Sequence, residues 1–291
     1  LIIRRVEVKC RVTLKSCPIL CITGETILLG RTDLVGRHNG VRSKVRTVDN
    51  NDLDVMVVDT RKYERNGDIV VINCEGNSCY YEIGVMRCAL RAGYSAIGYN
   101  RPGFGFSTGH PYPAQEQRAI EAVVQFAIEA CGFDIRNIVL LGWSIGGYAA
   151  AYAASCFPEI KYLILDASFG HVLPLGLNMM FDSWAPLVKE VINSYLNLNV
   201  AELVAKYDGP IMIIRRLKDE IMSLDTNCGN DLLYNVIIQR HPHLRTEECF
   251  NIIKYLLTLS EAEREDEIDL AENDTVKELI ILVSPISQFS P

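Results

Sequence analysis

From Lys44 onward the chain alternates short apolar runs with longer stretches of helical spacing. "KVRTVDNNDLDVMVVD" (Lys44–Asp59) predicts two short strands around a polar Asn50–Asn51 turn. "GDIVVINCEGN" (Gly67–Asn77) is a β-branched run ending in Gly and Asn, the profile of a buried strand. "YYEIGVMRCALRAG" carries helical spacing and stops at Gly93; "YSAIGYNRPGFGFSTG" is a further buried strand that breaks into a glycine-rich loop. Pro113–Gly132 predicts an amphipathic helix with proline at its start and glycine at its end. "NIVLLGWS" is a strand of Ile, Val and Leu that runs into the small-residue helix "IGGYAAAYAASCF". "YLILDASF" and "GPIMIIRRLKDEI" supply two more strands, and "GNDLLYNVIIQRHPHLRTEECFNIIKYLLTL" reads as helices. Apolar strands alternating with helices imply an α/β fold with a mostly parallel central sheet and helices on both faces.

The ends are less periodic. Residues 1–43 form a basic segment expected to lead in from an unseen upstream region, residues 44–260 the main domain, and residues 261–291 an acidic, poorly patterned tail. The apolar run "ELIILVSPIS" near the end is a candidate last strand. The chain starts with Leu, which leads us to expect a fragment or a processed product.

Composition narrows the function classes. The 291 residues carry a net charge of −7, which argues against nonspecific nucleic-acid binding by the whole chain. The basic residues of the first 48 could rest on an anionic lipid surface; an ordinary solvated basic face is the favoured alternative. Ten cysteines show no paired metal-ligand spacing beyond "CPILC", and several sit in apolar runs, which suggests a reduced, cytosol-facing domain. No apolar run reaches the roughly 18–20 residues that span a bilayer.

The chemistry concentrates at Gly142-Trp143-Ser144-Ile145-Gly146, a G-x-S-x-G pattern with a strand running in and a helix running out. In such a nucleophile elbow the serine occupies a tight left-handed turn, so its neighbours two residues away must be small. Ser144 is the candidate nucleophile. The oxyanion donors are expected at the backbone N–H of Ile145 and, from the loop after the earlier strand, of Asn77. Many hydrolases carry His-Gly at that loop; this chain has Glu75-Gly76, with Glu75 expected at the surface or behind the pocket. Asp219, just past the strand Pro210–Arg215, is the favoured acid, and Asp166 the competing one. The order Ser, acid, His leaves only His241 and His243 as histidines within the chain. They lie in a helical region with no strand to deliver them, so a histidine beyond Pro291 is the favoured expectation. The chemistry calls for no metal or cofactor. Between Asp166 and Lys206, Leu173, Leu175, Leu177, Met179, Met180, Phe181 and Trp184 suggest a helical cap whose apolar roof suits acyl chains; ordinary core packing is the alternative.

Taken together, "CEGN", "GYSAIGYNRPGF", "WSIGGY", "LILDASF", "DSW", "LNLN", "GPIMIIRR", "KDEI" and "GNDLL" resemble, in order, the phosphatidylserine lipase group of the α/β-hydrolase domain-containing proteins (protein sixteen in animals). The resemblance runs from about Val48 to Leu257. It implies an α/β-hydrolase fold, with the family nucleophile on Ser144 and its acid on Asp219. It further implies a serine hydrolase at the endoplasmic reticulum membrane, its catalytic domain facing the cytosol. Such an enzyme would cleave fatty acyl esters of phosphatidylserine or monoacylglycerol. A protein S-acyl thioesterase, and a catalytically dead lipid-binding domain, remain open as alternatives.

Overall fold

A computed structural model describes residues 24–214 and 231–256 of the chain. Among the described residues, seven strands form one sheet in the order β1-β2-β4-β3-β5-β6-β7. They are β1 (Val41–Arg46), β2 (Asp52–Val58), β3 (Val70–Cys74), β4 (Ser95–Tyr99), β5 (Ile138–Trp143), β6 (Tyr162–Asp166) and β7 (Ile211–Ile214). The β1–β2 and β2–β4 pairings are antiparallel, and the remaining four are parallel. β3 and β4 are buried along their whole length, which is why they read as continuous apolar runs rather than alternating ones.

The helices are α1 (Gly24–His38), α2 (Met86–Arg91), α3 (Pro113–Glu129), α4 (Gly146–Cys156), α5 (Val172–Met179), α6 (Ala185–Tyr195), α7 (Val200–Ala205), α8 (Leu232–Arg240) and α9 (Glu247–Leu256). Ala149, Ala150, Ala153 and Ala154 of α4 and Ile120, Val123, Val124 and Ala127 of α3 pack into the larger core with β3 and β5. Small side chains on α4 let its backbone lie close to the sheet, which the serine turn at its start requires. The terminal apolar run "ELIILVSPIS" and the acidic run of residues 261–274 lie outside the described residues.

Helix α1 was not apparent from hydrophobic periodicity. Among its larger apolar residues Leu34 is buried, whereas Leu28, Leu29 and Val35 are exposed, so it carries no continuous apolar stripe. It is held instead by a close approach and by charge. A methyl group at Gly30 would collide with the Glu82 carbonyl, and Arg31 reaches the buried carboxylates of Glu82 and Asp54. Among the described residues, the basic side chains at the front of the chain are engaged in the same way. Arg42 binds Asp54 at 2.6 Å, and Arg46 and Lys44 meet Asp52 at 2.8 and 3.6 Å. Antiparallel register sets this up: Lys44 lies opposite Asp54, and Arg46 opposite Asp52.

Candidate active site

Strand β5 ends at Trp143, and the next residue, Ser144, has φ +53°. That left-handed value costs a non-glycine residue on the order of 1 kcal/mol or more, so the surroundings must hold it. They do so from β6. The Ser144 N–H donates to the Asp166 carbonyl at 2.8 Å, and the Ser168 hydroxyl donates to the Ser144 carbonyl at 3.0 Å. The adjoining chain at Ala167 is also left-handed, at φ +49°.

The glycines around the turn each face a close neighbour. A methyl at Gly142 would lie 2.6 Å from the Gly147 Cα, and one at Gly147 would strike the Ser168 side chain. At Gly146 it would lie 2.1 Å from the Cys74 carbonyl oxygen and 2.6 Å from that of Glu75. The end of β3 and the loop after it therefore lie directly across the start of α4. Ile145 sits at the amino end of α4, where a helix leaves its first N–H groups without internal acceptors. Asn77 is an exposed residue two positions past Glu75 in the facing loop.

Glu75 is not at the surface. It is 1% exposed, and its Oε2 accepts the Val85 N–H at 3.1 Å, just before α2. Burial, with a smaller contribution from the neighbouring charge of Glu82, pushes its carboxyl up to about 8. Nothing local in "NCEGNS" marks this, because the amides it meets lie ten residues away.

A cavity of about 120 Å³ adjoins the turn. Ile145 and Tyr148 line it from the serine side, and Val172, Ile192, Leu196 and Leu198 from the cap. Arg101 and Glu116 border it as a buried ion pair with both Nε and Nη2 of the arginine 2.8 Å from Oε1. Burial pushes the Glu116 carboxyl up even beside this arginine. Sequence reasoning missed this pair, since Arg101 lies in a glycine-rich loop and Glu116 in the first turn of α3.

The cap corrects one expectation. Met179, Met180, Phe181 and Trp184 do not roof the cavity but face outward, all at least half exposed; Leu175 alone of the expected set is buried. Helix α6 has apolar residues on two sides. Ile192 packs inward over Gly176, while Leu187, Val191 and Tyr195, spaced four apart, are exposed.

The expected acid, Asp219, lies outside the described residues. Asp166 ends β6 beside β5, and its backbone carbonyl is used in the elbow. His171 caps α5, its Nδ1 accepting the Leu173 N–H at 3.0 Å. His241 follows α8, whose last residue, Arg240, donates to the Tyr207 and Gly209 carbonyls at 2.8 and 3.1 Å. Those carbonyls precede β7, so they mark the amino edge of the parallel strands. Ser144 leaves β5 at the carboxyl edge. The six residues of β5 separate the two edges by roughly 15–20 Å. His243 is two residues on, with its ring 5.8 Å from that of His241. We expect the double variant His241→Ala, His243→Ala to keep ester hydrolysis within about threefold of the parent; complete loss in a folded protein would show that one of them is the base.

Fold and site together define a class: residues 69–212 match the family described as alpha/beta hydrolase fold, and the chain belongs to it. Solved structures agree on the fold. An esterase from Pyrococcus furiosus, Pf2001, aligns with TM-score 0.57 at 18% identity, covering 72% of this chain and 80% of its own. An alpha-beta hydrolase from Vibrio vulnificus aligns with TM-score 0.56 at 17% identity, covering 66% and 69%. Within the family, the chain is similar to human phosphatidylserine lipase ABHD16A, at 43% identity over 241 residues. The rat protein of the same name is 44% identical over the same length. These alignments cover 80% of this chain but 43% of each relative, so the chain spans less than half the length of these curated proteins.

Proposed function

We propose that this chain is the catalytic domain of a serine hydrolase that cleaves fatty acyl esters of membrane lipids, as a phosphatidylserine or monoacylglycerol lipase would. The observation that carries the reading is Ser144, held at φ +53° beside an apolar cavity that Ile145 lines. The name of the relatives supports a phospholipid substrate.

In this mechanism the Ser144 Oγ attacks the ester carbonyl while a histidine, oriented by Asp219, takes its proton. The carbonyl oxygen becomes an oxyanion and accepts hydrogen bonds from the Ile145 and Asn77 amides. Collapse expels the alcohol half of the lipid and leaves an acyl-serine, which water then hydrolyses to free fatty acid. The acyl chain enters the cavity between Tyr148 and the cap residues Ile192 and Leu196. No metal or cofactor takes part in these steps.

We further place the domain at a membrane surface, facing the cytosol at the endoplasmic reticulum. No helix among the described residues is long and apolar enough to cross a membrane. The outward apolar residues of the cap, Met179, Phe181, Trp184, Leu187, Val191 and Tyr195, support contact with lipid from one side. The described basic residues Arg31, Arg42, Lys44 and Arg46 offer less, because they are already paired with carboxylates.

The test is product analysis on mixed vesicles containing phosphatidylserine, monoacylglycerol and an S-acylated peptide. Free fatty acid with lysophosphatidylserine or glycerol is the expected result. Release only from the thioester would make the protein an S-acyl thioesterase instead. Lipid binding without any release would make it a hydrolase-fold lipid binder.

A further inference from the structure

Glu75 occupies the loop position where many hydrolases carry the histidine of a His-Gly pair, and its burial gives it something to do. Its backbone and its side chain touch two different parts of the molecule. The Glu75 carbonyl, with that of Cys74, rests against Gly146 at the start of α4. Its carboxyl turns the other way and accepts the amides of Val85 and Met86 where α2 begins. Gly84 makes room for it: a methyl there would overlap the carboxyl group. The β3 ladder stops at Cys74, paired with Gly142, so the loop that follows has left the sheet's own hydrogen bonding. Behind this, Gly76 lies against the Trp143 indole, where a methyl would be 2.9 Å from the ring.

We infer that Glu75 is a positioning residue for hydrolysis: its side chain clasps the loop after β3 to the start of α2 and so sets the Asn77 amide opposite that of Ile145. The inference rests on the serine-hydrolase reading of Ser144. The group works in its neutral form. Its Oε1 has no partner among the described residues, and a lone ionised oxygen there would be costly to bury. A carboxyl pushed up to about 8 agrees with this, and makes glutamine the shape-matched replacement.

The experiment compares Glu75→Gln, Glu75→Ala and the unaltered sequence, each in the full-length protein, on a chromogenic ester, with folded sites counted by fluorophosphonate titration. Glu75→Gln keeps kcat within about threefold. Glu75→Ala lowers kcat by roughly 10- to 100-fold at nearly constant KM, somewhat less than deleting an oxyanion donor outright. A purely structural role would lower the melting temperature and the number of sites, but not kcat per site. Should the alanine variant fail to fold, Glu75→Asp, one methylene too short for the two amides, must show the kcat loss that glutamine does not. Equal kcat in all variants, or equal losses in the glutamine and the shortened variants, overturns the inference. Hydrolysis by the full-length protein that does not depend on Ser144, or no hydrolysis by it at all, overturns the underlying hydrolase reading and this inference with it.

Discussion

Ser144→Ala is expected to abolish fluorophosphonate labelling and to lower ester turnover by roughly 10⁴- to 10⁶-fold, the range seen when a serine nucleophile is removed. The fold should not register the change. The turn around residue 144 is left-handed, and alanine already occupies such a conformation at Ala167, with φ +49° in the same carboxyl-edge region. Both hydrogen bonds that hold the elbow to β6 and Ser168 use the backbone of residue 144, not its hydroxyl. A melting profile matching that of the parent should therefore accompany the loss. Labelling that survived the substitution would move the nucleophile elsewhere and remove the ground for calling this site catalytic.

Asp219→Asn should cost about 10⁴-fold in kcat, the effect of losing the carboxylate that fixes the imidazole tautomer in a serine triad. Asp166→Asn should change kcat by less than about threefold. The two positions offer a clean comparison. Asp166 is the last residue of β6, and its contribution to the elbow is a backbone carbonyl, which asparagine retains. Asp219 follows β7 by five residues, and β7 ends level with Asp166, since Ile214 is its register partner. A steady-state assay on the two variants decides between them. A large loss in the Asp166 variant with a small one in the Asp219 variant would reverse the assignment of the acid.

The elements around the nucleophile were legible because their causes are local. An unbroken run of Ile, Val and Leu, then Gly-Trp-Ser-Ile-Gly, states both the strand and the tight turn within ten residues. The alternation of strands and helices likewise announced a parallel sheet. What stayed hidden depends on contacts distant in sequence. Helix α1 is fixed by Arg31 reaching Glu82, 51 residues away, rather than by an apolar stripe. For Glu75 the sequence left a surface place and one behind the pocket both open, because its partners at Val85 and Met86 belong to another element. The cap failed for a different reason. Its apolar residues are spread around more than one side of α5 and α6, so composition alone cannot say which turn inward. Ile192 does, and Phe181 and Trp184 do not.

The hydrogen bonds from β6 to the elbow have a consequence for how reactivity appears during synthesis. A chain released from the ribosome only as far as the end of α4 would contain the whole Gly142–Gly146 pattern. It would lack the Asp166 carbonyl that takes the Ser144 N–H and the Ser168 hydroxyl that braces the Ser144 carbonyl. The serine of such a nascent chain is an ordinary one. Its chemistry is switched on by the docking of a strand made afterwards, so the newborn protein cannot attack esters before the sheet that controls it has closed around the turn.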